Sequence, residues 1–320
     1  GERIRTRLRL AYFVSQYPAV SHTFIFHEIA GLRARGIDIE VCTVNPPDRA
    51  MDAMPADEAR EAQQVHCLKA RRTSLNAALI LAEFLRAPVK TSLGLAVALR
   101  LSGGSPPRLL WFAFYWMEAL LIGRWMRQQR LSHLHAHFGS AASTVAMIAA
   151  RMFPICFSLT IHGPDEFYDV KGMLLQEKVE AAKFVVCISE FARSQLMLTS
   201  AHDHWSKLFV SPLGIDPEEF TPRRFKEQPA VFELLTIARC AAAKGLDVLL
   251  DAGAKLASEG RPFRFRIAGH GPERQRLEGA EARIRLGDAC EFIGSVNRDR
   301  IPALLHQSDI FVLPSFAEGV

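Results

Sequence analysis

The chain has 320 residues, 49% of them hydrophobic and 23% charged. That balance excludes a disordered or fibrous polypeptide, and the length accommodates about two domains. Thirty-nine basic and 34 acidic residues leave a formal charge of +5, which permits contact with phosphates or anionic lipid and says nothing of the fold.

Short strand-like runs alternate with helical patterns, which predicts an α/β protein with parallel sheets wrapped by helices. In the first half, strands are expected at 9–15, 37–44, 132–137, 155–161 and 184–188, and helices at 22–35, 140–152 and 190–198. Ser189 ahead of the last helix reads as its N-cap. The Arg-rich opening runs straight into the first strand with no secretory leader pattern. Cys42, Cys67, Cys156, Cys187, Cys240 and Cys290 are spaced too widely for a metal knuckle and read as buried, reduced thiols of a cytoplasmic protein. Segment 74–130 carries apolar runs at 77–81 and 109–117. They are punctuated by Arg86, Lys90, Arg100, Arg108, Arg124, Arg127 and Arg130. Neither run reaches the ~20 uncharged residues of a spanning helix. The expectation is a helical insertion packed on the first domain, or a surface that dips into a membrane interface, where aromatics beside arginines are at home.

The stretch 211–229 holds four prolines and reads as a linker between a domain over 1–210 and a second over 230–320. In the second, strands are expected at 231–238, 263–268, 290–293 and 309–313, with helices at 244–257, 272–286 and 298–307. The final residues, 314–320, look like a strand-to-helix turn whose helix does not follow, so this domain reads as incomplete.

Several strand ends carry chemistry. Arg239 closes one strand and Lys244 opens the next helix, where free backbone N–H groups favour a diphosphate; two solvated cations are the plain alternative. Gly269 and Gly271 suit either a ligand's close approach or a structural turn. Glu318, with the amides of Gly319 and Val320, could meet a sugar hydroxyl and a phosphate. His162 and Asp165 follow a strand in the first half. His133, His135 and His137 alternate along another strand and share one side, but an i, i+2 pattern with no outside ligand is a poor metal set, and none is expected.

Taken together these residues resemble retaining glycosyltransferases of the GT-B fold, family four, of the exopolysaccharide and colanic-acid type. Residues 17–25 with Glu28-Ile29 resemble that family's P-x-x-S-E-T-F-I…E-I opening. His135-Ala136-His137-Phe138-Gly139 resembles its H-A-H-F-G strand end, and His162-Gly163-Pro164-Asp165 its H-G-x-D element. The segment 211–216 with Phe220 resembles its linker. Arg239 with Lys244-Gly245, then 268–272, 292–294 and 314–319, match its donor half in order. The resemblance implies two Rossmann-like domains facing across a cleft, the second binding a nucleotide sugar. Arg239 and Lys244 would hold the diphosphate, Gly269 would flank the nucleotide and backbone near Ile293 the base, and Glu318 would contact the sugar. Gly319 and Val320 would lie near the distal phosphate, His162 near the reacting sugar, and His137 and Asp165 along the cleft. No cofactor or metal is implied, since two cations would do a metal's work on the leaving group. Four departures stand out. His22 replaces a Glu, no glycine pair follows the first strand, Ala238 replaces a Gly, and the family's second Glu would fall at position 326, past the last residue.

The function implied is transfer of a sugar from a nucleotide-diphosphate sugar to a lipid-linked or growing saccharide in bacterial polysaccharide assembly, at the inner face of the membrane. A GT-B epimerase or phosphorylase is the rival on the same fold. A non-catalytic binder of anionic surfaces is the rival of another class, though no basic stripe interleaved with stacking aromatics supports nucleic acid as a partner.

Overall fold

The computed structural model describes residues 8–70, 73–222, 224 and 229–319. Residues up to Leu213 form one compact unit, and Gly214–Glu318 form a second. Residues 223 and 225–228 of the expected linker lie outside the described residues.

The first unit is built on seven parallel strands: β1 (Arg9–Gln16), β2 (Asp38–Asn45), β3 (His66–Cys67), β4 (His133–His137), β5 (Cys156–Ile161), β6 (Val185–Cys187) and β7 (Leu208–Val210). Their spatial order is β3-β2-β1-β4-β5-β6-β7. The order reverses direction between β1 and β4, the place where an open α/β sheet offers a crevice at its carboxyl ends. The helices are α1 (Thr23–Ala34), α2 (Ala56–Gln64), α3 (Thr73–Arg86), α4 (Pro88–Leu101), α5 (Pro106–Gln129), α6 (Ala141–Met152), α7 (Leu175–Ala181) and α8 (Glu190–Thr199).

Side chains alternate across the sheet. Ala11 and Phe13 of β1 join Leu134 and Ala136 of β4 in the core beneath α5 and α6, while Tyr12 and Val14 enter a second core with Ile25 and Ile29 of α1. Burial on both faces explains the continuous apolar runs. Ser189 caps α8 as expected, its hydroxyl accepting from the Ala192 amide at 3.3 Å. The expected strands appear within a residue or two of their bounds. β3 and β7, only two and three residues long, were absent from the sequence reading.

Segment 74–130 is three helices, of which α4 and α5 pack on α6 and α3 packs on α4 and α5. A methyl group on Gly94 would sit 2.3 Å from the Met152 sulfur, and one on Gly123 would sit 2.2 Å from the Phe153 ring. These two notches let α4 and α5 close onto α6. Two of the seven basic residues there do not face a surface partner. Arg124 and Arg127 both donate to the buried Glu83 carboxylate, at 2.8 and 2.6 Å. Leu85, Val89, Leu93, Leu110, Trp111 and Phe114 are exposed. Among the described residues no helix is long and apolar enough to cross a membrane.

The second unit is smaller: β8 (Phe232–Ile237), α9 (Leu246–Ser258), β9 (Phe263–Ala268), α10 (Arg274–Ile284), β10 (Cys290–Gly294), α11 (Ile301–Gln307) and β11 (Ile310–Phe311). Its sheet is parallel, in the order β10-β9-β8-β11, so a second reversal falls between β8 and β11. Leu249 and Leu250 of α9, Leu277 of α10 and Phe265 and Ile267 of β9 form its core.

The cysteine expectation needs correcting. All six thiols are free, but only Cys42, Cys187 and Cys240 are buried; Cys67 and Cys290 are half-buried and Cys156 is exposed. Cys156 is the first residue of β5, before the strand enters the core. An apolar run marks a strand and does not bury every residue of it.

Candidate functional site

In the first unit the chemistry gathers at the carboxyl ends of β1, β4 and β5. His133, His135 and His137 do share one side, over Tyr12 and Phe184. His133 Nε2 and His135 Nδ1 both meet the Ser158 hydroxyl, at 2.7 and 2.8 Å, and His135 Nε2 meets the Thr160 hydroxyl at 2.9 Å. His137 Nδ1 lies 2.9 Å from His162 Nε2. Its Nε2 lies 3.8 Å from the Glu28 carboxylate, which accepts from the Tyr12 hydroxyl at 2.5 Å. Burial holds His135 and His162 down to about 3, with neighbouring imidazoles adding to the effect, and pushes His137 well below its ordinary value. All three are therefore neutral imidazoles near pH 7, each with one donor nitrogen and one acceptor.

That constraint orders the chain of groups. Burial pushes the Glu28 carboxyl up while the Tyr12 hydroxyl opposes it. In its ionised form the carboxylate, 3.8 Å away, favours a proton on His137 Nε2 by charge without a hydrogen bond. His137 Nδ1 then accepts from His162 Nε2–H, and His162 Nδ1 is left as a bare acceptor. Among the described residues both His137 Nε2 and His162 Nδ1 are buried without a hydrogen-bond partner. Phe24 and Phe138 pack on the His162 ring at 4.6 and 4.5 Å between centroids. Phe138 holds a left-handed backbone at φ +68°, a conformation that costs a non-glycine residue on the order of 1 kcal/mol. Its amide donates to Thr160 O at 2.8 Å. His22, which departs from the family pattern, stacks on Phe138 at 5.0 Å.

Glu28, His135 and His137 each place one potential ligand atom within 4.8 Å of the others. They do not fit a resident metal. His135 already spends both ring nitrogens on hydroxyls, and His137 spends Nδ1 on His162.

Asp165 is exposed, on the 3-10 turn Pro164–Phe167. The carboxylate that organises this end of the sheet is its neighbour Glu166, which the sequence reading passed over. Glu166 accepts from the His162 amide at 2.5 Å, the Gly163 amide at 3.0 Å and the Gly139 amide, tying the β4 and β5 ends together. Burial pushes this carboxyl up, while the three amides and Lys178 oppose it and favour the charged form. The signal was present, because a Glu three residues after a Gly-Pro start can bond back to the turn's first amides. Lys178, fully buried on α7, was also passed over. Its ammonium donates to the carbonyls of Gly139, Ser140 and Met173 at 2.7–3.0 Å.

In the second unit the loops after β8, β9, β10 and β11 are stitched by backbone hydrogen bonds. Ala238 N donates to Ala268 O, Gly269 N to Gly294 O, Cys240 N to His270 O, and Phe316 N to Ala243 O, all at 2.7–3.0 Å. Gly269 has φ +147°, and a Cβ there would stand 1.9 Å from Ala238 O. The space beside Gly269 is thus filled by the neighbouring loop, and the glycine is required by chain-to-chain approach. Ile293 sits where the β10–β9 register shifts between Phe292 and Gly294, a bulge that takes its backbone out of the ladder. Arg274, unnoticed in the sequence, donates to Phe292 O at 3.2 Å and Gly269 O at 3.5 Å.

Arg239 is exposed, two residues past β8. Lys244 lies on the same connection, one residue before Gly245, the N-cap of α9, and its ammonium donates to Glu318 Oε1 at 2.7 Å. Burial pushes the Glu318 carboxyl up, but the hydrogen bond and charge of Lys244 outweigh it and hold the group below its ordinary value. Gly319 ends the described chain, and Val320 lies outside it. The structure therefore brings Arg239, Lys244, Glu318, Gly269 and Ile293 to one edge of the second sheet, and His137 and His162 to one edge of the first.

Two family models match this chain. Glycosyltransferase Family 4 matches residues 21–219, and Glycosyl transferases group 1 matches residues 217–320. A colanic acid biosynthesis glycosyltransferase of Escherichia coli K12 is 25% identical over 96% of this chain and 75% of its own length. The amylovoran biosynthesis glycosyltransferase of Erwinia amylovora is 24% identical over the same shares. Among solved structures, the trehalose-6-phosphate protein of E. coli bound with UDP-2-fluoro glucose superposes with a TM-score of 0.62 at 15% identity. That match covers 98% of this chain and 79% of the other, a likeness of fold: GT-B, with two Rossmann-like domains.

Proposed function

This chain belongs to glycosyltransferase family 4, and from that premise we propose that it moves a sugar from a nucleotide-diphosphate sugar to a growing saccharide, carried on a lipid, in bacterial polysaccharide assembly. The observation that supports the reading is the Lys244–Glu318 ion pair between the connections that follow β8 and β11, the strands where the second sheet reverses, with Arg239 on the first of those connections. Parallel α/β sheets bind ligands there, and the N-terminus of α9 adds its free amides for a phosphate.

In the proposed reaction the bond between the anomeric carbon and the diphosphate breaks, and the leaving group gains negative charge. Arg239 and Lys244 stabilise that charge without a metal, an arrangement that serves the transition state more than the ground state. Glu318 accepts a hydrogen bond from a donor-sugar hydroxyl and shares Lys244 with the phosphate. His162 Nδ1, buried under Phe24 and Phe138, becomes an acceptor for a sugar hydroxyl once that cover opens. The acceptor hydroxyl attacks from the face the leaving group vacates and passes its proton to the departing diphosphate oxygen, so configuration is retained, and no side chain serves as nucleophile. The two polysaccharide-pathway relatives support the acceptor class, and the exposed apolar residues of α3, α4 and α5 suit work beside a membrane.

Melting curves with UDP-, GDP- and ADP-sugars test the donor site. One donor is expected to raise the melting temperature, since a ligand at a hundredfold excess over Kd adds about 2.7 kcal/mol of stability. Arg239→Ala is expected to lose both the shift and transfer while keeping its circular dichroism. Transfer at an undiminished rate in Arg239→Ala would sink the assignment. Product analysis with and without inorganic phosphate separates transfer from phosphorolysis.

A further inference from the structure

The cavity under α5 borders the first unit's cluster, sharing Gly139 and Lys178 with it, and its aromatic walls have no part in that cluster. It measures about 300 Å³ and is lined by α5, the first turn of α6, and the stretch that holds Lys178. Its chemistry is one-sided. Arg108 stands over the Phe112 ring at 5.7 Å, and among the described residues no carboxylate pairs with it. No carboxylate lines the space, and Lys178, which does, is held down to about 7 by burial and gives its three N–H groups to the carbonyls of Gly139, Ser140 and Met173, so Arg108 is the cation that remains for a ligand. The Ser140 hydroxyl, also in the lining, is buried without a hydrogen-bond partner and does not cap α6. Helical bonding in α6 begins at the Thr144 amide, so the amides ahead of it remain for a ligand. One unpaired guanidinium, an idle hydroxyl and a helix N-terminus favour an anion with several acceptor oxygens. A sugar ring would call for carboxylates or side-chain amides, and the lining has neither.

The remaining walls are aromatic. Trp111 and Tyr115 line the cavity, yet Trp111 is 60% exposed, with Leu110 and Phe114 also exposed beside it in sequence on α5. An apolar chain leaving the cavity meets aromatic and aliphatic surface at once. The volume holds a phosphate head but not a long chain with it, so the chain must lie over that rim.

We propose that this cavity binds the phosphate of an amphiphilic phosphate ester, a phosphate or diphosphate borne on an apolar chain, and thereby holds the lipid end of the acceptor. The inference rests on the lipid-carried acceptor proposed above and adds where the carrier is held. Arg108 and the α6 amides take the phosphate oxygens, and Trp111 takes the first carbons of the chain.

Calorimetric titration of the full chain with farnesyl diphosphate, inorganic pyrophosphate and farnesol tests it. The expected result is that farnesyl diphosphate binds at least tenfold more tightly than either fragment. Arg108→Ala and Trp111→Ala should each weaken it about tenfold or more, with Arg108→Lys recovering part of the loss and melting temperatures confirming folded variants. Pyrophosphate binding as well as farnesyl diphosphate would reduce the site to a plain anion pocket, and farnesol binding as well would reduce it to a greasy groove; either overturns the proposal. Farnesyl diphosphate could also enter the donor site, so Arg239→Ala is the deciding control. Binding that survives Arg239→Ala and fails in Arg108→Ala supports the cavity. The reverse pattern overturns it while leaving the donor assignment intact.

Discussion

At the scale of single residues, the first unit turns on where one proton sits. Glu28, 3.8 Å from His137 Nε2 and not hydrogen-bonded to it, biases the His137 proton by charge alone, and His137 passes that bias to His162 through their 2.9 Å contact. In Glu28→Gln the amide can donate to His137 Nε2, so the His137 proton moves to Nδ1 and the His162 proton moves to Nδ1 in turn. His162 would then donate where it had accepted. Long-range ¹H–¹⁵N spectra of the histidine rings should show His162 exchanging tautomer in a folded variant, with transfer slowed about tenfold, the worth of one misplaced hydrogen bond. An unchanged His162 tautomer would refute the relay. In the second unit the Lys244–Glu318 pair holds a carboxylate where a sugar hydroxyl would be bound, and the half-buried Gly269 and Ile293 serve loop geometry first. His135-x-His137, His162, Arg239, Lys244 and Glu318 were legible in the sequence because each ends a strand or starts a helix. Glu28 and Glu166 carried local signals, a motif position and a turn-capping spacing, but their partners on other strands were not legible. Arg274 and Lys178 were not legible because they reach Phe292 O and the carbonyls of Gly139 and Ser140 on other elements.

At the scale of elements, α3, α4 and α5 explain how a segment can look ready for a membrane and still be part of a folded layer. Glu83 of α3 is nearly fully buried and receives two arginines from α5. Its carboxyl lies below the ordinary range: burial opposes ionisation, and the hydrogen bonds and charges of Arg127 and Arg124 overcome it. Glu83→Ala removes that anchor and leaves two part-exposed cations facing each other. We expect a loss of about 1–3 kcal/mol, read as a lower urea midpoint with little change in slope. Restoration by Glu83→Gln to within a few tenths of a kcal/mol would show that charge contributes little there. The helical character of the insertion was legible in the sequence from its apolar runs, and the structure adds that prolines open α4 and α5. Their packing on α6 was not, because it depends on Met152 and Phe153 filling the notches at Gly94 and Gly123.

At the scale of the whole molecule, the buried imidazoles all belong to the first unit. Because the folded state holds His135 and His162 near 3, the unfolded chain binds protons below about pH 6.5 that the folded chain refuses. Stability therefore falls as the pH drops from 6.5 toward about 3, by on the order of 1 kcal/mol per pH unit for each ring. Urea titrations at pH 7, 6 and 5 should show the first unit's midpoint falling, and His135→Asn should flatten that dependence. A midpoint that stays level with acid would mean these rings are charged inside the fold.

The sequence by itself determined the alternation of strands and helices, the division near residue 213, the family and most strand-end residues of the site. These are local properties: periodicity, proline punctuation and ordered motifs are written within a few residues of one another. Only the tertiary structure decided which carboxylates organise each site, that Gly269 answers to Ala238, which arginines pair with Glu83, and that a cationic, aromatic cavity forms between α5 and α6. Each of those depends on residues far apart in the chain, and their meeting is set by how layers close on one another, which no short window of sequence records.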